Sequence, residues 1–175
     1  MIYIITGPSG AGKTLVGEYL KSKGLRELVS HTTRAPRPGE KDGEAYHFVD
    51  RETFQSTPKV EESEYAGNLY GVSRAEVDAK LCLGDVVAVT DFRGARSFKK
   101  HFGDEVRVIF VDSSVKNLRQ RMKKRGDSPE NIRRRILHRR NSRETGHRLF
   151  ADYIVDNNSS IRTLYRKVDQ LLRRR

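Results

Sequence analysis

The segment Gly7-Pro8-Ser9-Gly10-Ala11-Gly12-Lys13-Thr14 constrains this chain more than any other, because it fits the pattern GxxxxGK[ST] and lies between an apolar run and a segment of helical period. A backbone can turn its N–H groups inward around a phosphate only where side chains do not obstruct the turn, and glycines at 7, 10 and 12 remove that obstruction. The following helix adds the positive end of its dipole to the cradle. Lys13 supplies a point charge for β- and γ-phosphates, and the Thr14 hydroxyl is placed to meet Mg²⁺. All eight residues are read as a nucleoside triphosphate site.

Around this loop, apolar strand-like runs at 2–5, 86–89 and 106–111, with a weaker one at 153–155, alternate with segments of helical period. That rhythm predicts an α/β fold in which helices flank a mostly parallel sheet. Ser73-Arg74-Ala75-Glu76 has the form of a capping box and predicts a helix through about Leu83, ended by Gly84. Ser128-Pro129-Glu130 combines a cap, a proline at the first helical position and an acid in the first turn. The helix it opens carries Arg133, Arg134, Arg135, Arg139, Arg140 and Arg143. The stretch from about 30 to 72 lacks the βα rhythm and is rich in Thr, Arg, Pro, Gly and Tyr. Runs such as Ala45-Tyr46-His47-Phe48-Val49 predict a small β-rich insertion built for binding.

At 175 residues, with no repeat and no Gly/Ser linker, the chain suits one domain. A formal net charge of +12 predicts attraction to phosphates, nucleic acid or anionic lipid without choosing among them. The lone Cys82 and the absence of a basic leader before Ile2-Tyr3-Ile4-Ile5 lead to the expectation of a reduced, cytoplasmic setting. No apolar run approaches the roughly 20 residues of a membrane span.

Ser30-His31-Thr32-Thr33-Arg34-Ala35-Pro36-Arg37-Pro38-Gly39-Glu40, continuing to Gly43, Tyr46 and Phe48, puts two arginines on a proline-stiffened loop. Arginine presents planar forked donors suited to a phosphate monoester, and proline lowers the entropy lost in holding them. A phosphate-bearing acceptor is implied. This string, with Glu61 and Tyr65-Ala66-Gly67-Asn68-Leu69-Tyr70-Gly71 after it, resembles the hallmark segments of guanylate kinases, and the likeness runs through most of the chain. The resemblance implies a P-loop NTPase fold in a single domain spanning 1–175: a core of about 1–29, 73–115 and 144–175, a GMP-binding insertion of about 30–72, and a helical lid of about 116–143. It further implies ATP and Mg²⁺ on the donor side and GMP or dGMP as acceptor, with neither nucleic acid nor a membrane as partner. Arg34, Arg37, Tyr46 and Tyr70 would hold the GMP phosphate, while Ser30 and Glu61 would meet the base; Glu40 and Asp91 are counted with the acceptor site. A carboxylate can accept from the guanine N1–H and 2-amino group together, which adenine does not offer.

By the same resemblance, Arg121, Arg125 and Arg135 would close over ATP and, with Lys13, form the catalytic set. Their neighbours Lys123, Lys124, Arg139 and Arg140, and the terminal Arg173-Arg174-Arg175, are read as solvated charge. A GMP phosphate oxygen is already anionic near neutral pH, so no general base is recruited. His31, His47, His101, His138 and His147 are read as scattered, without metal-ligand spacing.

Several positions depart from the pattern. Val72 replaces the usual hydroxyl residue after Tyr-Gly, leaving Ser73 as a substitute for it. Val89 replaces one of two acids, so Asp91 serves alone or the metal relies on Thr14, water and phosphates. Arg93 replaces a glutamine, and Asp156-Asn157 reverses the usual order at a loop expected to touch adenine. Three other readings stand beside the kinase: a kinase for another phosphorylated sugar or nucleotide, an interaction module that kept the shape and lost the chemistry, and a nucleic-acid binder prompted by the arginine-rich helix. Glu61 with the two loop arginines, the intact phosphate loop, and the lack of a base-stacking motif weigh against them in turn.

Overall fold

The central strand explains the architecture. In β1 (Ile2–Thr6) every side chain is buried, and the alternation of a strand sends Ile2 and Ile4 to one face and Tyr3 and Ile5 to the other. A strand apolar on both faces needs helices on both faces, the condition of a parallel sheet. In the computed structural model, which describes residues 1–65, 67–141 and 147–173, β1 is flanked by β7 (Val86–Val89) and β8 (Val106–Asp112), both parallel to it. The short β2 (Arg26–Glu27) and β9 (Tyr153–Asp156) complete the five-stranded order β2-β7-β1-β8-β9. The three strong runs and the weaker one are all strands; β2, two exposed residues at an edge, had no apolar signal to show.

On one face, α1 (Lys13–Ser22), α5 (Val115–Lys124) and α7 (Ile161–Leu172) cover Tyr3 and Ile5 with Val16, Leu20, Leu118, Met122, Leu164 and Val168. On the other, α3 (Arg74–Leu81) and α4 (Phe92–Phe102) cover Ile2 and Ile4 with Val77, Ala95 and the fully buried Phe98. Truncating a side chain such as Phe98 to alanine costs about 3–5 kcal/mol.

A second sheet carries Glu61 and Tyr70. It has the order β4-β3-β6-β5, from β3 (His31–Thr32), β4 (His47–Phe48), β5 (Lys59–Tyr65) and β6 (Asn68–Ser73), with the short α2 (Arg51–Ser56) between β4 and β5. Val60 of β5 and Val72 of β6 join the core of the main sheet, and the Ser97 hydroxyl donates to the Val60 carbonyl at 2.5 Å, so this sheet is seated firmly on α4. Beyond α5, α6 (Pro129–Asn141) begins at the proline, with Ser128 Oγ accepting from the Asn131 amide at 3.2 Å.

Local details differ from expectation in two places. The Ser73 hydroxyl caps α3 by accepting from the Glu76 amide at 3.1 Å, but the Glu76 carboxylate does not complete a box; it accepts from the Val29 amide at 2.7 Å and pairs with Lys80 at 2.6 Å. A tertiary partner for that carboxylate outcompetes the local one. The helix also stops at Leu81, with Cys82 as its cap and Gly84 two residues further on. Ala66, Arg143, Arg174 and Arg175 lie outside the described residues.

Candidate active site

The turn after β1 has the backbone that its glycines permit. Gly7, Gly10 and Gly12 have φ of 138°, 81° and 103°. A Cβ at Gly7 would lie 2.2 Å from the Val111 carbonyl oxygen, and one at Gly12 would lie 2.5 Å from Asn157 Nδ2. Pro8 and Ala11 are buried beneath the turn, and the Ala11 amide donates to the Pro8 carbonyl at 3.1 Å. Lys13 opens α1 and returns its ammonium over the loop, donating to the carbonyls of Gly7 at 2.8 Å and Pro8 at 3.1 Å. Thr14, one residue on, is exposed.

Three side chains outside the motif brace this loop. Asn157 is buried and donates to the Ala11 carbonyl at 2.7 Å. Its side chain therefore supports the loop from below, where the sequence predicted an open loop against adenine. Arg121 donates to the carbonyls of Ala11 at 3.2 Å and Asn157 at 2.8 Å. Arg135 reaches back from α6 to the Ser9 hydroxyl at 2.5 Å. The fold thus brings Arg121 and Arg135 to the phosphate loop. Arg125 pairs with Asp127 at 2.5 Å, facing the turn between α5 and α6.

Arg139 is a correction. Read as a solvated charge, it is half-buried and bonds to Asp112 at 2.8 Å and to the Ser113 carbonyl at 3.1 Å, and Arg148 approaches the same carboxylate at 2.9 Å. Asp112, at the end of β8, is an acid that helical charge patterning could not anticipate. Lys123 and Lys124 are exposed, as expected; the side chain of Arg140 lies outside the description.

Across the crevice at the carboxyl ends of the main strands lies a cluster of arginine and tyrosine side chains. Arg34 Nη2 sits 2.9 Å from both oxygens of Glu40, and Arg34 Nη1 donates to the Ala35 carbonyl at 2.7 Å. The guanidinium lies over the rings of Tyr46 at 5.3 Å and Phe48 at 5.8 Å, with Tyr70 beside it. Tyr46 and Tyr70 meet edge to face at 5.8 Å. Arg37 is exposed, and its amide donates to Glu40 at 2.8 Å. That amide and the Arg34 guanidinium hold the Glu40 carboxyl below the usual carboxylate range. Arg34, Tyr46 and Tyr70 come together, and Glu40 is the residue that fixes Arg34.

A cleft of about 220 Å³ joins the two regions: Thr14 of the phosphate loop, Ser30 and Tyr46 of the second sheet's loops, Glu61, Val72, Val89 and Thr90 all line it. Among Glu61, Glu62, Ser63 and Glu64 only Glu61 is withdrawn from solvent, next to Val60, which is buried in the core of the main sheet. Burial, and then the nearby charge of Asp91, push the Glu61 carboxyl from 4.5 up to about 7, against the Val72 N–H and the Thr90 hydroxyl, which favour its ionised form. Asp91 caps α4, accepting from the Gly94 amide at 2.9 Å. Ser73 cannot supply the hydroxyl missing at Val72, because it is 2% exposed and committed to its cap. Arg93 is exposed and lines a neighbouring cleft with Lys59, Glu61 and His101. The histidines are less scattered than they read, since β3 and β4 bring the rings of His31 and His47 to 4.6 Å.

Sequence reasoning did not single out Thr90 or the bracing role of Asn157. Thr90 was marked only by its place before Asp91 at the carboxyl end of β7, the edge where open parallel sheets take ligands.

A glycine-turned phosphate loop on the central parallel strand, facing an arginine and tyrosine cluster across one cleft, defines a nucleotide-binding protein of the P-loop NTPase class. The sequence model described as "Guanylate kinase" matches residues 1–175. The chain is 42% identical over 165 residues to a guanylate kinase of Thiobacillus denitrificans, covering 90% of this chain and 78% of that one. It is 42% identical over 171 residues to a guanylate kinase of Alkalilimnicola ehrlichii, covering 93% and 83%. The crystal structure of guanylate kinase from Anaplasma phagocytophilum superposes with a TM-score of 0.68 at 29% identity, covering 99% of this chain and 85% of that one. This chain belongs to the guanylate kinase family. Among the described residues no helix is long and apolar enough to cross a membrane.

Proposed function

We propose that this protein transfers the γ-phosphoryl group of ATP to GMP, and to dGMP, in a Mg²⁺-assisted reaction. The single observation that carries the reading is the cleft whose walls include both Thr14 of the phosphate loop and Glu61 of the second sheet, because it lets donor and acceptor meet without leaving the protein. Phosphoryl transfer asks chiefly for alignment and neutralised charge. The loop amides and Lys13 take the donor phosphates. Arg34, Arg37, Tyr46 and Tyr70 hold the acceptor phosphate, and Glu61 and Ser30 read the guanine. An oxygen of that phosphate forms the new bond to the γ-phosphorus as the bond to the β–γ bridging oxygen breaks and ADP leaves. Arg121, Arg125 and Arg135 stabilise charge on the group in transit.

Thr14 is exposed to the cleft and offers a hydroxyl suited to Mg²⁺. Asp91 is engaged as a helix cap, and position 89 is a valine, so the ion would keep water and phosphate oxygens as its other ligands. When bound, the ion neutralises the donor phosphates. In this reading, about 30–72 is the acceptor-binding unit, about 116–143 is the lid, and the remainder is the core. ATP, GMP and dGMP are the partners and the cytoplasm is the setting.

A coupled assay of ADP formation across the nucleoside and deoxynucleoside monophosphates tests the reading. GMP and dGMP should be preferred; absence of turnover with both, or faster turnover with another monophosphate, overturns it. Lys13→Ala should lower kcat by at least about 100-fold with the fold intact.

A further inference from the structure

Beside Glu61 in the cleft, β6 of the second sheet presents a valine at position 72 and no hydroxyl. Val72 is buried with an apolar side chain, and the Ser73 hydroxyl faces away into the first turn of α3. A hydroxyl nevertheless reaches the same space from the main sheet. Thr90 follows β7, and its amide donates to the Ile5 carbonyl at 3.1 Å, which ties its backbone to the central strand. Thr90 lines the cleft with Ser30, Glu61 and Val72.

Thr90 is also held in place. A Cβ on Gly94 would fall 2.2 Å from Thr90 Oγ1 and 3.0 Å from its Cγ2, so the threonine packs directly on the backbone of the first turn of α4. Rigid backbone on one side and the cleft on the other leave the hydroxyl a small set of positions. Thr90 shares the wall of the cleft with Glu61, and its hydroxyl, like the Val72 amide, favours the ionised carboxylate.

We propose that Thr90 is a positioning residue for guanine recognition, its hydroxyl holding the Glu61 carboxylate toward the base and doing from the main sheet what the side chain at 72 cannot. The proposal rests on the GMP-kinase reading above, through the role it gives Glu61. A hydroxyl donor to a carboxylate that must itself accept from N1–H and the 2-amino group removes one way for that carboxylate to turn aside or take up a proton.

The test compares Thr90→Val and Thr90→Ser in the full-length protein. Calorimetric titration with GMP and steady-state kinetics are run from pH 6 to pH 8.5. Thr90→Val should weaken GMP binding and raise its KM about 10-fold. Its kcat and its KM for ATP should stay within about twofold of the parent's. It should also move the pH at which GMP affinity is gained upward. Thr90→Ser should match the parent in both respects, and adding Val72→Thr to Thr90→Val should restore much of the affinity. Thr90→Ala serves the same comparison if valine is not accommodated against Gly94. Unchanged GMP affinity and pH midpoint in Thr90→Val, or equal impairment in Thr90→Ser, overturns the role of Thr90. A parent protein that binds GMP without turnover counts against the kinase reading alone, because the binding comparison still decides Thr90; a parent that does not bind GMP overturns both.

Discussion

Arg34 Nη2 lies 2.9 Å from both carboxylate oxygens of Glu40, so the guanidinium is already oriented by an acid six residues along the chain. The loop is clamped again where the Arg37 amide donates to the same carboxylate at 2.8 Å. On the proposed reading, an acceptor phosphate would meet a guanidinium whose position is set in advance, which reduces the ordering that binding must impose. Glu40→Ala frees Arg34 and removes the clamp. Its KM for GMP should rise about 5- to 30-fold, with kcat for saturating GMP changed much less, as initial-rate measurements over a range of GMP would read directly.

Glu61 carries a pH dependence of definite sign. Its carboxyl is raised from 4.5 to about 7 by burial and by Asp91, so the folded protein favours the protonated form. The stability this contributes is full below about pH 4.5 and is lost as pH rises through about 7. Glu61→Gln removes the linkage. Relative to the parent, its stability without ligand should improve between pH 4.5 and pH 8 by on the order of 2–3 kcal/mol, as urea unfolding at the two pH values would record. With Glu61 reading guanine as proposed, GMP would need the ionised acid, so the parent's affinity should climb across the same range and the variant's should stay low and flat.

Gly12 tests the phosphate loop by shape. With φ at 103° and Asn157 Nδ2 at 2.5 Å from any Cβ, Gly12→Ala meets both backbone strain and a steric conflict. Asn157 would be forced off the Ala11 carbonyl it bonds at 2.7 Å. A loss of about 1–3 kcal/mol in thermal or urea unfolding is expected, together with ATP binding weakened by at least about 10-fold in a fluorescence or calorimetric titration.

Asp112 receives Arg139 at 2.8 Å and Arg148 at 2.9 Å, and its side chain is only 12% exposed. Asp112→Asn leaves two guanidiniums without their acid. Arg139 belongs to α6, the same helix that sends Arg135 to Ser9. The variant should lose about 1–3 kcal/mol in equilibrium unfolding. Limited proteolysis should cut within 129–141 sooner than in the parent.

The phosphate loop, the strands at 2–6, 86–89 and 106–112, and the helix starts at Ser73 and Ser128 were legible because their causes are local. Lys13, Arg34, Tyr46, Glu61 and Tyr70 could be named from motif and family likeness, and the fold gathers them around one crevice. Arg139 was misread, since its partner Asp112 is 27 residues away and buried by the sheet. Glu76 did not complete its capping box, because its carboxylate accepts from the distant Val29 amide and pairs with Lys80. Thr90 looked like the end of an apolar strand.

The sequence by itself determined where the backbone must turn around a phosphate, which runs would be buried on both faces, and which arginines had the chemistry for anions. Glycine conformations, side-chain periodicity and guanidinium geometry act over a few residues, so they can be read along the chain. The tertiary structure alone decided that Thr14, Glu61, Val72 and Thr90 share one cleft, that Ser73 is spent on a helix, that Arg139 binds backbone and acid in place of solvent, and that Arg121 braces the phosphate loop through its carbonyls. Those outcomes depend on which groups a folded neighbour excludes from solvent, and the neighbour is supplied by a strand or helix distant in the chain.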